Sequence, residues 1–189
     1  MHRLVKFLSR GAAIVGGTVL LALIVLTALS ILGRELSKLG HRLVDVSWMS
    51  GLGEALVASG VDEINGTYEL TEAGVAFAIF AFLPVCQFYG AHATVDVFTS
   101  GLRRGSLNWL RAFWEVVLAA IIVFITLRLY EGMNRYLGNG ETTLFLQFPV
   151  WWSYAACVGA AIIACLTAAY CAYARLIEAV TGRSVLPEG

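Results

Sequence analysis

The sequence predicts an all-α integral membrane protein, with four transmembrane helices plus an amphipathic interfacial helix between the first and second. Three observations carry that prediction. Hydrophobic residues make up 59% of the 189 positions and charged residues only 14%. A soluble domain averages about 25% charged, so this chain has too little charge to cover a surface in water. Four apolar runs approach or exceed the roughly 20 residues needed to cross about 30 Å of hydrocarbon. None of them alternates apolar and polar residues over about ten positions, as barrel strands do. The length suits one unit, read as a single membrane domain over 1–189.

The spans fall at about 11–32, 73–91, 112–130 and 150–174. The first, GAAIVGGTVLLALIVLTALSIL, follows the basic stretch MHRLVKFLSR and so resembles a signal peptide. A signal core is about 7–15 residues long. This run is longer, and it is read as a retained anchor.

Lys and Arg set the orientation. With the N-terminus cytoplasmic, the inner side holds eight basic and four acidic residues, and the outer side five and nine. Both termini are therefore expected in the cytoplasm. Trp109 and Trp114 flank the inner end of the third span, and Trp151 and Trp152 open the fourth at the outer face. Amphipathic rings favour those headgroup depths.

The outer connection, 33–72, exceeds the roughly 2–8 residues that usually join neighbouring helices. Leu36, Leu39, Leu43 and Val46 repeat at helical spacing, with Arg34, Glu35, Lys38, Arg42 and Asp45 on the other faces. An amphipathic segment is expected over about 33–60, with a bend near Gly51 and Gly53. Two readings stand: it lies on lipid, or it docks on a partner subunit. The following VDEINGTYELTE is acidic.

Within the spans, Glu115 lies four residues after Arg111, a spacing at which the two can pair. Arg128 lies near the outer end, where its stem can snorkel. Pro84 interrupts the second span and is expected to kink it. Gly11, Gly16, Gly17, Gly159, Ala160 and Ala161 permit close helix approach. The four cysteines sit in apolar runs without a CxxC, as buried thiols do. A net charge of zero gives no field for nucleic acid. There is no GxSxG and no HExxH, and the histidines are only His2, His41 and His92. The chain is thus read as no enzyme, with no catalytic, cofactor or metal site of its own.

The second span closes on FYGAHATVDVFTSGLRR. His92 and Asp96 stand four apart and can share a helix face, or Asp96 can cap a following segment. On this stretch and the four-span pattern, the sequence resembles the DctQ-type small membrane subunit of TRAP (tripartite ATP-independent periplasmic) transporters. The matching signature runs through Gly90, His92, Val95 and Asp96. Glu69 or Glu72 matches the family's acidic residue ahead of the second span. The family's Trp–x–x–Glu-like element has only Trp48 and Glu54 as nearest candidates, six apart.

The resemblance implies a scaffold in a bacterial inner membrane. It supports sodium-driven import of a carboxylate-type solute delivered by a periplasmic substrate-binding protein. It implies as partners a large TRAP membrane subunit, which carries the sodium coupling, that binding protein, and membrane lipids. Arg103 and Arg104 join the motif residues as candidates for the partner interface. The alternative reading is an accessory or haem-binding electron-transfer subunit of another membrane complex.

Overall fold

The computed structural model describes residues 2–44, 50–90 and 104–181, the side chains of 104, 106 and 107 excepted. The described residues form five helices: α1 His2–Val44, α2 Ser50–Ala58, α3 Thr67–Tyr89, α4 Arg104–Asn139 and α5 Val150–Thr181. All but α2 are long and apolar enough to cross a membrane.

The first helix departs from expectation. Instead of ending at the lipid boundary, α1 continues without a break through 33–44. At 1.5 Å per residue its 43 residues extend about 65 Å, twice the hydrocarbon thickness. GRELSKLGHRLV has no proline, and its own polar groups support the extra turns. Lys38 Nζ sits 2.8 Å from Glu35 Oε1, and the His41 ring lies 2.8 Å from the Ser37 carbonyl.

The chain then folds back. Gly53 of α2 rests on the α1 backbone, where a Cβ would come 2.5 Å from the Val44 nitrogen and 2.8 Å from the Gly40 carbonyl. Gly51 and Gly53 lie inside α2, which begins at Ser50 directly after the undescribed residues 45–49. The Asp62 carbonyl packs against Gly33, and the Ile64 N–H donates to the buried Ser30 hydroxyl at 3.2 Å. The first half of the expected 33–60 segment is thus an extension of the first span, and the second half is clipped to its flank.

Gly66 (φ 84°) opens α3, and Gly90 (φ 62°) ends it with its N–H on the Cys86 and Gln87 carbonyls. A left-handed backbone suits glycine at both ends. The helix remains continuous through the buried Pro84.

The four long helices form a row in the order α4, α5, α3, α1, with α1 also reaching α5. Among the described residues, the backbone of α4 approaches only α5. In the most apolar stretch of α5 50% of residues are buried, against 11% in α1 and in α4. Cys157, Ala160, Ala161, Ala164, Ala168 and Cys171 explain this. They recur at three and four residues, all are buried, and their small side chains admit neighbours on both sides. Ala164 and Ala168 meet Ile122 of α4, while Cys171 and Ala174 meet Phe88 of α3. Elsewhere Gly16 of α1 packs on Ala78 and Ala81, and Gly132 of α4 receives the Tyr154 ring. Ile14, Leu21, Ile24 and Phe124 point outward, a surface suited to lipid.

Candidate partner interface

The expected motif falls mostly outside the described residues. This holds for Trp48, His92, Val95, Asp96 and Arg103. Arg104 begins α4, and only its backbone is described. Gly90 caps α3, as above. Glu54 and Glu72 are exposed. Glu54 borders a shallow cleft with His41, Val44, Val57 and Ala58, between α1 and α2.

Glu69 has a defined task. It stands in the first turn of α3, ahead of the apolar run that starts near residue 73. Its two carboxylate oxygens accept the N–H groups of Phe145 and Leu146 at 2.8 and 3.0 Å. These belong to the α4–α5 connection, a tight loop. The Thr143 N–H donates to the Phe148 carbonyl and the Val150 N–H to the Glu141 carbonyl, both at 3.0 Å. Leu146 lies on Gly66, where a Cβ would collide with it. Partial desolvation works to raise the Glu69 pKa, but the loop N–H groups outweigh it and hold the carboxyl below its ordinary value. Leu144 and Phe145 at the tip are 81% and 63% exposed, beside an exposed Tyr68. The end of the row at the α4–α5 loop thus carries an apolar knob locked by one carboxylate.

A second polar group gathers at the other end of α3. Gln87 Nε2 donates to Glu115 Oε2, joining α3 to α4 across a gap that their backbones do not close. The two residues are 1% and 9% exposed. The Cys171 thiol of α5 lies 3.8 Å from the Gln87 carbonyl. One turn on, Arg175 Nη1 pairs with the buried Glu178 at 2.7 Å. A Cβ on Gly90 would stand 3.9 Å from Arg175 Nη2, so the cap of α3 abuts this pair. Arg10 Nε donates to the Tyr89 hydroxyl at 3.0 Å, and the His2 ring meets the Tyr170 hydroxyl at 3.1 Å.

Sequence reading noticed Glu115 but not its bond to Gln87. A glutamine inside an apolar run was the available signal. Arg175 and Glu178 stand three apart at the end of α5, a spacing that in the sequence alone signals a pair. Arg128 bonds Glu131 at 2.5 Å on an exposed face.

Among the described residues this arrangement positions helices. The polar groups described bond one another across helix ends. Long apolar faces are left on the two outermost helices. The sequence model of the family described as "Tripartite ATP-independent periplasmic transporters, DctQ component" matches residues 57–181. The chain belongs to this family. The match runs from the end of α2 through α5, so the shared DctQ portion comprises α3, α4, α5 and the motif stretch between α3 and α4. Comparisons with curated proteins and with solved structures returned no match. The DctQ family is a component of transporters, not a family of enzymes, and its members are one part of a three-part system.

Proposed function

We propose that this DctQ-family chain is the scaffold subunit of its transporter. It sits in a bacterial inner membrane with both termini cytoplasmic and braces a large membrane subunit. That subunit moves a carboxylate-type solute, driven by sodium and delivered by a periplasmic binding protein. The observation that carries the reading is the open row. A closed four-helix bundle buries one stripe of every helix against several neighbours. Among the described residues α4 is backed by α5 alone, and α1 by α3, with α2 clipped to its far end and limited help from α5. Such a slab offers two broad faces to another membrane protein.

Transport by the chain itself would call for broken helices around a polar midplane site. The four long helices are continuous over their described lengths, and the buried carboxylates lie toward one end of the row. The exposed Leu144–Phe145 knob and the acidic outer connection supply the surface that helps dock the binding protein.

The test is reconstitution. Vesicles holding the large subunit with this chain should take up solute on a sodium gradient when the binding protein is added. Vesicles lacking this chain should not. Sodium-dependent uptake by the large subunit alone would overturn the scaffold role.

A further inference from the structure

The Leu144–Phe145 knob stands clear of the bilayer. An exposed ion pair such as Arg128–Glu131 is costly deep in hydrocarbon, so it marks the lipid edge on α4. From Glu131 the helix runs on to Asn139, about 12 Å. The headgroup zone on each side of the hydrocarbon is only about 5–8 Å deep. The Tyr136 and Tyr154 rings lie 5.0 Å apart, which brings the start of α5 level with the end of α4. The loop between them therefore lies in water, at the end of the row rather than on either broad face.

Its shape is fixed before any partner arrives. Thr142 pairs with Pro149, and the Thr143 N–H donates to the Phe148 carbonyl, closing the loop at its base. Glu69 holds the Phe145 and Leu146 N–H groups, and Leu146 is turned down onto Gly66. Leu144 and Phe145 are left outward, with the exposed Tyr68 beside them. An apolar tip held rigid in water loses little freedom on docking and suits the anchor of an interface. Its surroundings are acidic. In 60–80 and 129–152, the segments that flank the knob, Arg135 is the only base. Asp62, Glu63, Glu72 and Glu141 are exposed there.

We propose that Leu144, Phe145 and Tyr68 form a preorganised plug for a pocket on the soluble binding protein, apolar within and basic at its rim. This deepens, and rests on, the docking role proposed above. The plug sets how long the complex lasts, and the acidic rim how fast it forms. Glu69 is a positioning residue that presents the plug.

The test is uptake by vesicles holding the large subunit with this chain, as the binding protein is titrated. Leu144→Ser with Phe145→Ser should raise the binding-protein concentration for half-maximal uptake on the order of tenfold or more, with the maximal rate kept. Both side chains are exposed, so this variant should still co-purify with the large subunit. Glu69→Gln should raise half-saturation by less. It should add nothing when combined with Leu144→Ser and Phe145→Ser, which separates presentation of the plug from a general loss of fold. Glu72→Gln with Glu141→Gln should flatten the dependence of half-saturation on salt. A salt dependence left unchanged overturns the acidic rim. Half-saturation unchanged by Leu144→Ser with Phe145→Ser, while uptake still requires this chain, overturns the plug and leaves the scaffold role standing. Uptake without this chain overturns the scaffold role itself. Loss of co-purification would show that the knob holds the large subunit, and would equally overturn the proposal. So would a Phe145→Cys thiol that a membrane-impermeant reagent reaches only from the cytoplasmic side.

Discussion

Gly16 gives the sharpest test of how the row is held together. A methyl group built there would lie 2.9 Å from the Ala81 Cβ, with the Ala78 carbonyl at 3.6 Å. Carbon atoms pack best at about 3.5–4.0 Å, so α1 and α3 would have to separate by at least about 0.6 Å. Overpacking of this kind costs about 1–3 kcal/mol, a factor of about 5–150 in the docking equilibrium of α1. Glycine to alanine in a helix also brings an opposing gain of about 1 kcal/mol in helix propensity. Gly11→Ala isolates that gain, because its methyl group meets nothing within 4 Å. Gly16→Ala is therefore expected to unfold more readily than Gly11→Ala by about 1–3 kcal/mol in denaturing-detergent titrations of the purified chain. Ala81→Gly removes the opposing methyl but itself costs about 1 kcal/mol of helix propensity, so the readout is the double-mutant cycle, in which Gly16→Ala and Ala81→Gly should couple favourably by about 0.5–3 kcal/mol. Equal stability of Gly16→Ala and Gly11→Ala, or no favourable coupling in the cycle, would refute the close α1–α3 seam.

At the first turn of α3, Glu69→Gln should loosen the loop, read as faster hydrogen exchange at the Phe145 and Leu146 amides. The Glu69 carboxyl is held below its ordinary value in the fold. Its contribution is thus fully present above the unfolded pKa, near 4.5, and is lost as pH falls through the lower folded pKa. Protection of the two amides, taken relative to their intrinsic exchange rate at each pH, should fall in that acid window in the wild type and stay flat in Glu69→Gln. At the other end of α3, Gln87→Leu removes a donor from a buried carboxylate and should destabilise the chain by about 1–3 kcal/mol, measured by the same detergent titration. Gln87→Glu, which sets a second acid beside Glu115, should do worse. His92→Ala is expected to reduce co-purification with the large subunit while leaving the substrate preference of assembled transporters unchanged. Competition uptake assays would check the latter.

The four lipid-crossing helices were legible because hydrocarbon imposes a length and a composition that the sequence displays directly. The path of 33–44 was not. Its seam of Leu36, Leu39 and Leu43 suits a separate surface helix as well as a continuation of α1. The choice rests on Gly33, Gly40 and Gly53, which let the returning chain clip to α1 at three points. Small residues posed the same difficulty. Gly16 and Ala161 are buried in helix contacts, but Gly11 and Gly159, of the same type in the same runs, face an open groove. Composition reveals that close approach is permitted. Which glycine is used depends on helix rotation and register, settled only when the helices pack. Glu69 was found from its place before the second span, but its hold on Phe145 and Leu146 spans more than 70 residues and left no local trace.

The two polar anchorages share a design. At one end of α3, Glu69 fixes the α4–α5 loop. At the other, Gln87 reaches Glu115 and its carbonyl meets Cys171, while Gly90 abuts the Arg175–Glu178 pair. Helix association in lipid has little hydrophobic drive, because the surroundings are as apolar as the interface. Packing of small residues along α5 supplies contact, but it leaves sliding of one helix past another weakly opposed. Hydrogen bonds at both ends of α3 oppose that sliding, since each holds one geometry, and the Gln87–Glu115 bond is buried. A slab fixed in this way keeps a constant shape while a neighbour moves against it. The same logic explains why the charged groups sit at the helix ends: there they pin the slab, leaving its two apolar faces available for lipid or a partner.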